Sequence, residues 1–178
     1  MNPWFIFPRP KADAAIRLFC FHYAGGSASI FRQWPQGLPT VEVCVVQQPG
    51  RATRIGEAAA EHSGPLLETL SREIEPLLDR PFAFFGHSMG ALVAFELSRA
   101  VRARTGRAQA HLFVSGRRAP HLPSQRPALA ALLSAWLNHV ARFVCLLVSA
   151  PGMIPWIRRP LRDLKSLVHH VSTSRGVS

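Results

Sequence analysis

Five residues concentrate the chemistry of this 178-residue chain: Gly86-His87-Ser88-Met89-Gly90, lying between two apolar runs of different period. A serine hydroxyl attacks a carbonyl only when it is presented at a strained, exposed position with donors ready for the oxyanion. A sharp strand-to-helix turn gives that presentation, and it crowds the backbone two residues before and after the pivot, so glycine is needed at both places. Gly86 and Gly90 occupy them. The pattern is the G-x-S-x-G nucleophile elbow, with Ser88 as the candidate nucleophile at a helix N-terminus. One oxyanion donor is then the backbone N–H of Met89, and the second comes from the loop after an earlier strand. Tyr23-Ala24-Gly25-Gly26-Ser27 is placed to be that loop. His87 adjoins the serine, but in so tight a turn its side chain points away, so it reads as a packing or orienting residue.

The elements that must position these groups are legible as periodicities. Residues 16–23, IRLFCFHY, form a nearly continuous apolar run that suits a strand buried on both faces, and residues 41–46, VEVCVV, read as a second. Between Gly64 and Asp79, Leu66, Leu67, Leu70, Ile74, Leu77 and Leu78 recur at helical spacing. PFAFF restarts the chain as a strand at Pro81. After Ser88, Val93, Leu97, Ala100 and Val101 mark a helical face, with Gly106 placed to cap it. HLFVSG, residues 111–116, reads as one more strand. The alternation predicts an α/β fold: a parallel sheet with helices on both faces.

Composition narrows the function. The formal net charge is +11, and arginine carries it, since Lys11 and Lys165 are the only lysines. The basic residues are scattered rather than gathered with aromatics, which argues against nucleic-acid binding and leaves encounter with acidic protein partners as a use for the charge. Cys20, Cys44 and Cys145 are far apart, lack a CxxC spacing and sit among apolar neighbours, so neither a metal site nor a disulfide framework is expected. The start, MNPWFIFPRPK, has prolines where a signal peptide needs an unbroken apolar stretch. The longest apolar run, residues 143–157, is broken by Pro151, Gly152 and Pro155, so no membrane span is expected either. These features point to a cytoplasmic protein with reduced cysteines.

Four stretches in order, RLFCFHYAGGSASIFRQW, VEVCVVQQPGR, RPFAFFGHSMGALVAFEL and HLFVSGRRAPHLP, resemble the type II thioesterases that accompany non-ribosomal peptide and polyketide synthases, a branch of the α/β-hydrolases. The resemblance covers about residues 3–123. It implies hydrolysis of acyl or aminoacyl thioesters from the phosphopantetheine arm of carrier proteins, clearing misprimed or stalled chains, with no cofactor of the enzyme's own. Residue by residue it makes Ser88 the nucleophile and assigns the oxyanion hole to the N–H groups of Met89 and Ala24. Three positions depart from the family's usual residues: His22 stands for Pro, Gln48 for Leu and Ala52 for an acid.

Beyond Pro123 the resemblance stops. Fourteen basic and nine acidic residues in 1–123 give way to seven basic residues and one acid, Asp163, in 124–178. Residues 1–123 therefore read as the hydrolase core and 124–178 as an atypical basic tail, with a helical stripe over 128–148 and disorder at 172–178. The family continues to a catalytic Asp and a Gly-Gly-His-Phe segment, and this chain shows neither. His139, His169, His170 and Asp163 match no family position, so the acid and base are unassigned. The tail reads as a shifted frame or a truncated copy. Two alternatives to a working thioesterase follow: a catalytically dead remnant that still binds carrier proteins, and a basic protein whose tail binds acidic partners.

Overall fold

The computed structural model describes residues 2–117. They form a five-stranded sheet in the order β1-β3-β2-β4-β5. Its strands are β1 (Phe5–Ile6), β2 (Ile16–Phe21), β3 (Val41–Val46), β4 (Phe82–His87) and β5 (His111–Ser115), and its helices are α1 (Trp34–Gly37), α2 (Ser63–Glu73) and α3 (Met89–Thr105). The four strands read from the sequence are parallel to their neighbours, with Phe21 opposite Gly86 and His87 opposite Ser115. The sheet is nevertheless mixed, because Phe5–Ile6 adds an antiparallel edge on Val45 and Val46. Two residues are too few to carry a period, so this strand left no mark on the sequence pattern.

β2 and β3 are buried along their whole length, as their nearly continuous apolar runs require. One face, with Phe19, Phe21, Cys44, Phe82 and Phe84, packs on Leu70, Ile74, Leu97 and Val101 of α2, α3 and the turn that follows α2. The opposite face, with Leu18, Cys20, Val43, Val45 and Phe85, is covered by Phe31, Trp34 and Leu38 from a 3-10 turn and the one-turn α1. The helical stripe between Gly64 and Asp79 is two elements. α2 ends at Glu73 and a 3-10 turn, Glu75–Leu77, carries the stripe onward. Pro76 is the cause, since it lacks the N–H that α-helical continuation would use. α3 ends as expected, with Gly106 left-handed at φ 70° and its N–H bonded to the Arg102 carbonyl.

Two charges lie within the buried strands. Arg17 of β2 and Glu42 of β3 are opposite each other in the register, and the Arg17 Nε donates to Glu42 Oε2 at 2.7 Å. The guanidinium also reaches Asp79 at 2.5 Å and the Leu77 carbonyl, tying the end of the α2 segment to the start of the sheet. Cys20 and Cys44 are buried free thiols, the Cys20 Sγ donating to the Leu18 carbonyl at 3.9 Å, and burial drives both thiol pKa values up. No helix among the described residues is long and apolar enough to cross a membrane. The tail readings, Cys145, and His139, Asp163, His169 and His170 lie outside the described residues.

Candidate active site

The site forms where β4 runs into α3. Ser88 adopts φ 53° and ψ −112°, one of two non-glycine residues with positive φ among those described. A residue in this region is strained and holds its conformation only where its surroundings over-determine it. The two glycines do that. A Cβ on Gly86 would stand 2.5 Å from Ala91 N and Cα, and closer still to the Gly90 carbonyl. A Cβ on Gly90 would stand 2.6 Å from the His22 carbonyl and closer to that of Phe21. All of these are backbone atoms with no rotamer to yield, so the spacing of the pentapeptide is a packing requirement.

Gly90 also brings the two halves of the site together. Its contacts with Phe21 and His22 set the start of α3 against the end of β2, where the Tyr23–Ser27 loop begins. Gly25 turns that loop with φ 78°, and the Gly26 N–H closes it on the Tyr23 carbonyl at 3.0 Å. The elbow is held from the other side by β5, whose Ser115 carbonyl accepts the Ser88 N–H at 2.8 Å. Ser88, Met89 and Ala24 are all partly exposed, at the carboxyl ends of β2 and β4.

His87 occupies the packing role read for it. Its Nδ1 is 3.1 Å from Ser115 Oγ, its ring meets Tyr23 edge to face, and Gly116, at φ 65°, leaves room for it where a Cβ would press on the imidazole. Burial lowers its pKa below the ordinary value. Sequence reasoning missed the anchoring by Ser115, which depends on strand register, and the role of Gln47. That buried amide accepts the Ala28 N–H at 3.1 Å and donates to the Arg51 carbonyl at 2.9 Å, stitching the end of the glycine loop to the Gln47–Arg54 turn. A polar pair closing an apolar strand, Gln47-Gln48, was its signal. Of the departures noted above, His22 and Gln48 are buried, and Ala52 is the second residue with positive φ, at 41°. No cluster of three metal-ligating side chains occurs among the described residues.

Comparison with known proteins places this geometry. Residues 16–150 match the family model described as thioesterase domain. The chain is similar to the linear gramicidin dehydrogenase LgrE of Brevibacillus parabrevis, 48% identical over 127 residues, which are 71% of this chain and 48% of that protein. It is similar also to the gramicidin S biosynthesis protein GrsT of Aneurinibacillus migulanus, 46% identical over 69% of this chain and 48% of that protein. Among solved structures, the type II thioesterase BorB from the borrelidin biosynthetic cluster superposes with a TM-score of 0.71 at 34% identity, covering 85% of this chain and 61% of that one. RedJ, the thioesterase of the prodiginine pathway in Streptomyces coelicolor, gives 0.60 at 41% identity over 74% of this chain and 55% of that one. The chain spans about half the length of the curated relatives it matches. With the match extending over most of its length, and an α/β-hydrolase sheet beneath the elbow, this chain belongs to the thioesterase family.

Proposed function

We propose that this chain hydrolyses acyl or aminoacyl thioesters carried on the phosphopantetheine arm of carrier proteins, in the cytoplasm, in non-ribosomal peptide or polyketide biosynthesis. The observation that carries the reading is the backbone of Ser88, strained at φ 53° between glycines that cannot be replaced without collision. Strain of this kind persists where function requires it. Attack of the Ser88 Oγ on the thioester carbonyl forms a tetrahedral oxyanion, which the N–H groups of Met89 and Ala24 stabilise. Collapse expels the pantetheine thiolate and leaves an acyl ester on Ser88. Water then repeats the sequence and releases the acid. The serine proton needs a base, without which a serine hydrolase loses about a million-fold in turnover. His87 is committed to Ser115 and Tyr23, so we do not assign it this role.

The test is release of thiol from an acyl-pantetheine thioester and from an acylated carrier protein by the full chain, with Ser88→Ala beside it. Release that vanishes in Ser88→Ala supports hydrolysis. Carrier binding without release is the outcome for a non-catalytic carrier-binding protein. Salt-sensitive association with acidic partners alone is the outcome for a basic binding protein.

A further inference from the structure

His22 is fully buried at the end of β2 and has no part in the hydrolysis described above. Its Nδ1 lies 2.9 Å from the carbonyl oxygen of Tyr23. A carbonyl only accepts, so Nδ1 carries the proton and, in the neutral ring, Nε2 is a bare lone pair. Nε2 has no hydrogen-bond partner among the described residues, which is where a buried imidazole bears a cost. Burial lowers the pKa of the ring, against the opposing pull of the Tyr23 hydrogen bond and with help from the Arg51 charge, so the neutral tautomer persists.

The Tyr23 carbonyl thus takes two donors: His22 Nδ1–H and the Gly26 N–H at 3.0 Å. A carbonyl held on both lone pairs cannot rotate freely. In a trans peptide the N–H of the next residue points the opposite way, and that next residue is Ala24. We propose that His22 is a positioning residue for the oxyanion site: its Nδ1–H clamps the Tyr23 carbonyl into the loop and so turns the Ala24 N–H toward the elbow. This rests on the reading of Ala24 as the second oxyanion donor. Were the peptide to rotate, the Tyr23 carbonyl would face the developing negative charge in place of an N–H. Losing one oxyanion donor costs about 10²–10³ in kcat. The Gly26 bond retains part of the alignment, so loss of the clamp alone lowers kcat by about ten- to a hundred-fold.

The experiment compares the full-length chain with His22→Phe, which fills the space without donating, and His22→Asn, whose amide N–H reaches the same carbonyl. Turnover of acetyl-pantetheine thioester is measured per reactive serine, counted with a fluorophosphonate. His22→Phe is expected to lower kcat with KM little changed, and His22→Asn to recover most of it. A purely structural role would lower the melting temperature and the count of reactive serines while leaving kcat per serine at the wild-type value, and that result overturns the proposal. Imidazole nitrogen resonances of the wild type are expected to show His22 protonated at Nδ1, and protonation at Nε2 overturns it equally. If the wild type releases no thiol in a Ser88-dependent way, the hydrolase reading falls and the Ala24 amide resonance decides alone. Displacement in His22→Phe with return in His22→Asn supports the clamp, and an unmoved resonance refutes it.

Discussion

Replacing Ser88 by glycine should abolish any serine chemistry and yet make the protein more stable than replacing it by alanine. Alanine keeps the Cβ that makes φ 53°, ψ −112° unfavourable, whereas glycine visits positive φ freely. A residue held in such a region costs about 1–3 kcal/mol. Against this, glycine gives the unfolded chain about 0.5–1 kcal/mol of extra conformational entropy to lose. The difference leaves Ser88→Gly ahead by about 1 kcal/mol, worth about 2–4 °C in melting temperature for a chain of this size. Using Ser88→Ala as the reference removes the hydroxyl from both sides of the comparison. Urea unfolding of the two variants, followed by tryptophan fluorescence, gives the difference directly. A Ser88→Gly protein with a midpoint below that of Ser88→Ala would refute the argument that the elbow stores strain at this residue.

Two further predictions concern the polar groups inside the fold. Glu42→Gln leaves the Arg17 guanidinium, 6% exposed, without its buried counter-charge and should cost about 3–5 kcal/mol, whereas Asp79→Asn, at a half-exposed site on the same guanidinium, should cost under about 1 kcal/mol; urea midpoints check both. His22 has its pKa lowered from the ordinary 6.5, first by burial, so the folded chain binds fewer protons there than the unfolded chain. The stability this gives is present above pH 6.5 and is lost as the pH falls through the folded-state pKa, by up to about 1.4 kcal/mol per pH unit. The loss from pH 7 to pH 5 should be smaller in His22→Asn, and an equal loss in both proteins would show that His22 is not the titrating group.

The strands that position the site were legible because β2, β3 and β4 are buried on both faces, which writes a nearly continuous apolar run into the sequence. The elbow was legible for a steric reason: Gly86 and Gly90 are the residues that the turn admits, so its geometry is spelled out at fixed spacing. What stayed hidden depends on register and distance in space. Arg17 sits within the apolar run of β2, and nothing local announces that Glu42, 25 residues on, lies opposite it. The β1 edge is two residues long and draws its stability from Val45 and Val46 rather than from its own pattern. The break in the α2 stripe was marked by Pro76, but the stripe kept its helical spacing across the 3-10 turn and hid the boundary. The bonds from Ser115 to Ser88 and His87 appear only once β5 is aligned with β4.

That last alignment ties the Ser88 turn to the outermost of the described strands on that side. The amide of residue 88 is moored to a carbonyl of β5, and the neighbouring imidazole leans on the same serine. A slip of β5 by one residue would remove both moorings together and present the wrong side of the strand to the turn. Whatever fastens β5 in place therefore governs how steadily the Ser88 hydroxyl is aimed.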